Sequence, residues 1–374
     1  MKKTIHLFLI IVAIALFNAC NSNTSDGEQK KNSTQKEEKK TEANTGDVVK
    51  PTFVTDTTKH DTDDPAIWIN PNNPAESLVI GTDKDEGGAL YVYDLKGKII
   101  ENKVVRGLKR PNNVDIEYGL ILNGKATDIA VVAERLTSKI RIFSLPDMKP
   151  LDNGGIEVYQ GEKGQDFRDL MGIALYKRPS DKAIFAIVGR KNGPAKDYLW
   201  QYKLEDDGKG MVKATLARKF GNYSQKKEIE AICVDDKLGY VYYSDENVGV
   251  RKYYADPEKG GEELALFATS GIKDDHEGIS IYELDDKTGY ILLSDQQANQ
   301  FHIFPREGAK DKPHQHDLIK IVKVSTNESD GSETVSVPLN DTFKKGLFVA
   351  MSDNKTFHFY KWEDIAGKDL KMRE

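Results

Sequence analysis

The feature that most constrains the fold of this chain is an internal repeat, which fills the sequence from about residue 60 onward. Six related segments follow one another, and each reads as strand, turn, strand, polar loop, strand. Two of them are IEAICVDDKLGYVYYSDENVGVRKYYA from Ile229 and HEGISIYELDDKTGYILLSDQQANQFHIFP from His276. A spacing of about 50 to 60 residues, with about four strands in each unit, is typical of propeller blades. We therefore predict an all-β fold, a six-bladed β-propeller in a single domain.

The strand candidates within the repeats favour the same fold. They are short, rich in β-branched and aromatic residues, and separated by Gly, Asn and Asp turns. No long stretch carries the helical period of about 3.6 residues. Two packed β-sandwiches are the alternative, but six similar units do not divide naturally between two sandwiches. The candidate strands include residues 66–69, 89–93, 128–133, 140–145, 184–188, 241–243, 290–293, 301–304 and 347–351.

The first 50 residues differ in character from the repeats. Residues 1–19 have a charged start, a short apolar core and a small residue before Cys20, which is the pattern of a lipoprotein signal peptide. We expect a lipid on the Cys20 sulfur, which would hold the exported protein on the bacterial cell envelope, at the outer membrane or surface. Ordinary secretion with cleavage nearby is the alternative. Residues 20–50 are almost devoid of large apolar side chains, which predicts a disordered polar tether before a propeller domain at 51–374.

Charge and cysteine content exclude several classes of protein. The chain has 54 Lys and Arg against 60 Asp and Glu, with a formal net charge of -6, which argues against general nucleic-acid binding. Cys20 and Cys233 are its two cysteines, so a disulfide framework and a thiolate zinc site are excluded. We expect a monomer whose contact with a membrane is made through the lipid anchor alone.

The repeat also places charged residues at equivalent positions of the blades. In an antiparallel blade, the start of the first strand and the end of the second lie at the same end, so these positions should gather on one face of the propeller. Five of the six first-strand starts carry an acid, and the sixth carries Met171. The acids are Asp63, Asp64, Asp115, Glu230, Glu277 and Asp330. The loops after the second strands supply Lys84, Asp85, Glu134, Arg135, Arg190, Lys191, Asp245, Glu246, Asp295, Gln296 and Asp353.

This distribution of charge indicates a metal and phosphate site. Converging carboxylates repel one another unless a positive charge lies between them. Ligands that are all oxygen favour a hard cation such as Ca²⁺, and basic residues beside them suit a phosphate. Together the two features are typical of phosphoryl transfer to water. The alternative is that the acids cap turns and hairpins while the basic residues are solvated.

Five motifs occur in order along the repeats: DDPAIW from Asp63, NNVDI from Asn112, EGISIY from Glu277, DGSETVSVPL from Asp330 and GLFVAMSD from Gly346. These motifs resemble those of the β-propeller phytases, which are calcium-dependent phosphatases acting on inositol hexakisphosphate (phytate). The resemblance runs in order from about residue 60 to about residue 365. It implies a six-bladed propeller that hydrolyses phosphate monoesters by metal-activated attack of water.

The resemblance also implies roles for individual residues. It implies that Glu230, Glu246 and Glu277 bridge the catalytic calcium ions, and that Asp330 belongs to the calcium loop of the last blade. The full set of implied metal ligands is Asp63, Asp64, Asp115, Glu230, Glu246, Asp275, Glu277, Gln296 and Asp330. The implied phosphate contacts are Lys84, Arg135 and Lys191, and Arg190 beside Lys191 is a further candidate for binding the substrate.

Three departures from the family pattern predict a weakened site. Asp85 stands where the family often has a second lysine, and Met171 replaces a tyrosine that reaches a calcium ion. Residues 324–326 lack the additional aspartate of the last-blade loop. These departures keep a second hypothesis open, in which the chain is a non-catalytic surface propeller that is stabilised by calcium and binds a ligand or glycan. A propeller hydrolase of the lactonase type is a third hypothesis, although such enzymes tend to use one central calcium without flanking Lys and Arg.

Overall fold

The computed structural model describes residues 46–374. The predicted signal peptide, the lipidation site at Cys20 and most of the predicted tether lie outside the described residues. Within the part of the chain that is described, no helix is long and apolar enough to cross a membrane.

The described residues form six four-stranded sheets, so the predicted six-bladed propeller is confirmed and the two-sandwich alternative is wrong. Neighbouring strands in each sheet are antiparallel, as turn-linked strands close in sequence require. The strands are β1 Phe53–Val54, β2 Thr62–Trp68, β3 Leu78–Asp83, β4 Gly88–Tyr93, β5 Val105–Leu108, β6 Pro111–Leu122, β7 Lys125–Glu134, β8 Lys139–Leu145, β9 Ile156–Glu157, β10 Leu170–Lys177, β11 Ile184–Arg190, β12 Leu199–Asp206, β13 Val212–Phe220, β14 Ile232–Asp235, β15 Tyr240–Asp245, β16 Gly249–Tyr254, β17 Ala265–Phe267, β18 His276–Glu283, β19 Gly289–Asp295, β20 Gln300–Pro305, β21 Lys320–Lys323, β22 Ser332–Val335, β23 Leu347–Ser352 and β24 Thr356–Lys361. The one α-helix of the described part is α1 Trp362–Ala366, and the short 3₁₀ helices are Pro74–Glu76, Glu101–Lys103, Arg135–Thr137, Pro257–Lys259 and Gln296–Ala298.

The ring is closed by strands from both ends of the propeller. Blade six consists of β22, β23 and β24, with β1 as its outer strand. Phe53 pairs with Phe359, and Val54 pairs with His358. The sequence repeats did not reveal this closure, because β1 precedes the first repeat and contains only two residues. Val49, near the end of the predicted tether, also contacts blade five, since its N–H donates to the Lys323 carbonyl at 2.9 Å.

Each sheet is buried because it packs between two neighbouring sheets. Every residue of β3, β11 and β23 is buried. One core cluster joins blades two and three through Ile129 and Val131 on one side and Leu175 and Ala186 on the other. Burial of such side chains on both faces of a sheet explains why the strands read as nearly continuous apolar runs.

The register of the blades shifts where the first strand begins. Each of four first strands contains an irregular step opposite the end of its second strand, which is the pattern of a β-bulge. A bulge places two residues opposite one and redirects their side chains. The shifts therefore turn the acids at the strand starts toward the end of the propeller. They lie between Thr62 and Pro65, Pro111 and Val114, Leu170 and Ile173, and His276 and Ile279.

Glycines beside the strand starts allow neighbouring blades to approach closely. A Cβ atom at Gly172 would collide with the Glu230 carbonyl, and one at Gly278 would lie 2.9 Å from the Asp330 carbonyl. Both carbonyls belong to the next blade, so the two glycines set how near the acids of adjacent blades come to one another.

Candidate active site

Lys84 joins the acids of the first and last blades. Its ammonium nitrogen lies 2.7 Å from Asp63 Oδ1 and 3.0 Å from Asp330 Oδ2. The Gln296 side-chain amide donates to the other oxygen of Asp330. Blades one, five and six thus meet through predicted site residues, as expected for positions at one end of the ring.

Two overlapping sets of carboxylates lie beside this group. The first set is Glu228, Glu230 and Glu246, and the second is Glu246, Asp275 and Glu277. In each set, one oxygen from every residue lies within 4.8 Å of the others. Glu246 belongs to both sets, so Glu230 of the first set and Asp275 and Glu277 of the second all lie near Glu246.

Burial makes it costly for these carboxylates to be charged together. It raises the pKa of Glu230 to about 7 and that of Glu246 to about 8, with repulsion from neighbouring carboxylates adding to both shifts. The pKa of Glu277 is raised well above its usual range for the same two reasons. A bound cation would favour the ionised forms, because an opposite charge offsets the desolvation.

The donor atoms fit a hard divalent cation. All the groups in the two sets offer oxygen, which is the ligand that calcium and magnesium prefer. Asp63 Oδ2 and Glu277 Oε2 are buried without a hydrogen-bond partner among the described residues. Buried polar atoms are normally paired, so two unpaired carboxylate oxygens indicate places for a ligand.

Two lysines pair with the carboxylate sets. The ammonium of Lys191 lies 2.9 Å from Glu228 of the first set. The ammonium of Lys227 lies 3.2 Å from Glu246 Oε2 and also pairs with Asp275. Sequence reasoning missed both Lys227 and Glu228. The charged run KKEIE, which ends at Glu230, was the signal that could have identified them.

Arg135 is held at the edge of the cluster without a carboxylate partner in the part of the chain described here. Only 6% of the residue is exposed, and its Nε donates to the Leu170 carbonyl at 3.1 Å. Its terminal nitrogen contacts the sulfur of Met171. The charge of Arg135 lowers the pKa of both Asp63 and Glu230 against the larger effect of burial. The guanidinium is therefore positioned near the acids but keeps donors for another anion.

The structure corrects the interpretation of Arg190 as a substrate-binding residue. Its side chain is fully buried, and its guanidinium carbon lies 4.5 Å from the centre of the Tyr159 ring. Phe167 and Trp200 also face it, and its NH1 donates to the Phe167 carbonyl at 3.2 Å. Aromatic rings attract a guanidinium through cation–π contacts, so Arg190 packs against the aromatic residues in the interior of blade three.

Asp64 and Asp115 lie apart from the two carboxylate sets. Both line a cavity of about 260 Å³ together with Glu333, which the sequence reasoning missed. Asp64 Oδ2 accepts from the Val114 N–H at 3.1 Å, and Asp115 Oδ2 accepts from the Leu175 N–H at 2.6 Å. The structure therefore separates these two predicted ligands from the glutamates. We call Asp64, Asp115 and Glu333 the cavity acids.

Asp85 makes no ion pair with the lysine next to it. Its side chain is 47% exposed, and its Oδ1 accepts from the Gly87 N–H at 3.1 Å. His60 lies 3.9 Å away and is much closer to Asp83, at 2.9 Å. The carboxylate thus caps its own turn, which is a common use of aspartate.

Comparison with known proteins agrees with this geometry. The model of the family described as Phytase matches residues 6–371. The chain is 29% identical over 331 residues to a curated 3-phytase of Bacillus subtilis (strain 168), and the match covers 81% of this chain and 80% of that protein. The six-bladed fold and the order of the motifs from Asp63 to Gly346 agree with this similarity to phytases. The chain belongs to the phytase family.

Proposed function

We propose that this protein is a calcium-dependent phosphomonoesterase that hydrolyses phytate. The observation that carries the proposal is the pair of carboxylate sets sharing Glu246, with the charge of Arg135 acting on Glu230. Such a site combines oxygen ligands for a hard cation with a donor for a phosphate. The similarity to a 3-phytase supports phytate as the substrate and the 3-phosphate as the group removed first.

The residues of the carboxylate sets would hold the cation. Glu230 and Glu246 would supply oxygens from blade four, Asp275 and Glu277 from the start of blade five, and Asp63 and Asp330 would supply others beside Lys84. When bound, calcium would supply positive charge that lowers the pKa of a water molecule and neutralises phosphate oxygens. These side chains would fix the position of that charge, because they lie at the ends of the blade strands.

The basic residues would bind and orient the phosphate to be removed. Arg135 can donate two parallel N–H bonds to a phosphate, and its contacts with Leu170 and Met171 restrict its orientation. Lys84 and Lys191 would add charge from the first and third blades. In the overall reaction, the bond between phosphorus and the inositol oxygen breaks, a water oxygen replaces it, and the alcohol leaves with a proton.

One observation favours the second candidate function, a non-catalytic propeller stabilised by calcium. Lys84, Lys191 and Lys227 are all paired with carboxylates, so in this arrangement three ammonium groups are unavailable to a phosphate. This candidate predicts that calcium stabilises the protein while no phosphate ester is hydrolysed.

A single experiment separates the two candidates. Phosphate release from phytate would be measured at mildly alkaline pH with calcium and with a chelator, beside the melting temperature under both conditions. The enzyme hypothesis expects calcium to raise both quantities. Stabilisation without phosphate release from any ester tested would instead support the binding protein. The absence of any calcium effect would contradict both.

A further inference from the structure

The ammonium of Lys227 lies inside the second carboxylate set. It pairs with Asp275 and lies 3.2 Å from Glu246 Oε2. The side chains of these two acids are only 5% and 2% exposed, whereas that of Lys227 is 44% exposed. The charged end of the lysine therefore enters the cluster from the solvent side, and its stem remains accessible.

Asp275 is held in place by other groups as well. The Asn247 amide donates to its Oδ1 at 2.9 Å, and the Gln297 amide donates to its Oδ2 at 2.6 Å. Glu246 is fixed at the end of its blade, where its own N–H donates to the Glu228 carbonyl. Groups other than the lysine thus hold the Asp275 carboxylate and the Glu246 backbone, whereas the side chain of Lys227 is 44% exposed.

We propose that Lys227 is a tethered counter-cation of this cluster, which a divalent cation must displace in order to bind. The inference rests on the proposed function in one respect, namely that a divalent cation binds at Glu246, Asp275 and Glu277. The same carboxylate oxygens cannot serve both cations, because an ammonium and a metal ion repel each other at such a distance. A flexible, half-exposed lysine stem can turn outward when its charge is displaced.

Competition of this kind has a thermodynamic signature. Without metal, Lys227 offsets the repulsion between Glu246 and Asp275, so removing its charge should destabilise the protein. With saturating calcium the ammonium has already left, so the same change should have almost no effect on stability. Binding of calcium should become tighter, because no tethered cation remains to be displaced.

The test compares Lys227→Met with Lys226→Met. Lys226 is the neighbouring residue, it is exposed, and no ion pair involves it in the described part of the chain, so its replacement removes the same charge from the same loop. The melting temperature of each protein would be measured in chelator and in saturating calcium, and the calcium Kd by titration calorimetry. We expect K227M to bind calcium about tenfold more tightly than the wild type, or about 1.4 kcal/mol. We expect K226M to stay within about twofold of the wild type.

Each pattern of results either supports or overturns the displacement of Lys227 by the divalent cation. The inference is supported if K227M melts at a lower temperature than the wild type in chelator but at the same temperature as the wild type in calcium. An equal loss under both conditions with an unchanged Kd shows a lasting structural ion pair and overturns it. No difference from K226M under either condition also overturns it. A wild-type protein that binds no divalent cation refutes the proposed function, and with it the competition, so the two failures are told apart.

A second measurement uses the unaltered protein and does not depend on how the variants fold. The rate at which an amine-reactive reagent modifies each lysine can be followed by peptide mass spectrometry. Lys227 should react several-fold faster in calcium than in chelator, because a paired ammonium is protected and a displaced one is not. Lys226 should react equally in both. Equal protection of Lys227 with and without calcium would contradict displacement.

Discussion

Two groups of acids in this propeller lie at similar positions of the blades but have different surroundings. The cavity acids accept hydrogen bonds from backbone N–H groups, such as Asp115 from Leu175. Glu246 and Asp275 of the carboxylate sets pair instead with a lysine, and Glu277 keeps an unpaired oxygen. An acid that the backbone already satisfies has a structural role, whereas one with spare oxygens is ready for a ligand. Position in the repeat alone does not separate these roles.

The largest expected effect separates the two groups of acids directly. Glu246→Gln removes a charge shared by both carboxylate sets and should lower phosphate release by about 100-fold or more. Glu333→Gln changes a cavity acid and should leave kcat/KM within about threefold, because Glu333 belongs to neither carboxylate set. Both are measured with phytate at saturating calcium. Equal losses in the two variants would show that the groups act as one site.

The repeat predicted the blades well because blade formation depends on local features. Turn residues and alternating apolar strands recur in each unit, so the number of blades could be counted before any contact was known. The closure by Phe53 and Val54 could not, since a pairing across about 300 residues leaves no local pattern.

The site was predicted less completely than the fold. The three glutamates are together as expected, but adjacent residues differ in which way they point. Arg190 turns into the aromatic interior while Lys191 turns outward to Glu228. Strand alternation predicts that neighbours face opposite sides, but the sequence does not show which side is solvent at a strand end. Lys227 was missed because its role depends on contacts with Glu246 in blade four and Asp275 at the start of blade five, which are distant in sequence.

The second prediction concerns metal removal and pH. The pKa values of Glu230 and Glu246 are raised, so without metal the folded state holds more protons than the unfolded state between about pH 4.5 and pH 8. In chelator, the contribution of these two groups to the free energy of unfolding should therefore be highest below about pH 4.5. It should fall as the pH rises toward 8. Calcium binds the ionised forms and should offset this fall, adding about 2.7 kcal/mol at 100 times its Kd.

Melting curves from pH 5 to pH 8.5, in chelator and in calcium, would check this prediction. The expected result is a gap between the two melting temperatures that widens with pH. The matched control is Glu246→Gln, in which the widening should be smaller because one of the titrating groups is gone. A gap that is constant with pH would mean that these carboxylates are already ionised without metal.

A third, smaller effect is expected at Arg135. Arg135→Lys keeps the charge but loses the planar pair of donors, so kcat/KM for phytate should fall by about tenfold. Calcium-dependent stabilisation should stay close to that of the wild type, because no carboxylate among the described residues is paired with Arg135. Kinetics that match the wild type on every ester would show that this guanidinium does not contact the phosphate. Loss of the calcium effect would instead place Arg135 in the support of the metal ligands.

The smallest expected effect is at Asp85, which the family pattern presents as a missing lysine. The structure reduces its importance, because the carboxylate is 47% exposed and caps the turn at Gly87. Charge at such an exposed position is screened by solvent and salt, so Asp85→Lys should lower KM for phytate by no more than about threefold at low salt, and less at physiological salt. Asp85→Asn is the matched control, since it removes the negative charge while keeping an oxygen that can cap the turn. If D85N gives about half the change of D85K, the effect is electrostatic. A different result would be an increase in activity of more than about tenfold in D85K alone, at every salt concentration. It would show that the new lysine contacts the phosphate directly, which the exposed position of Asp85 does not suggest.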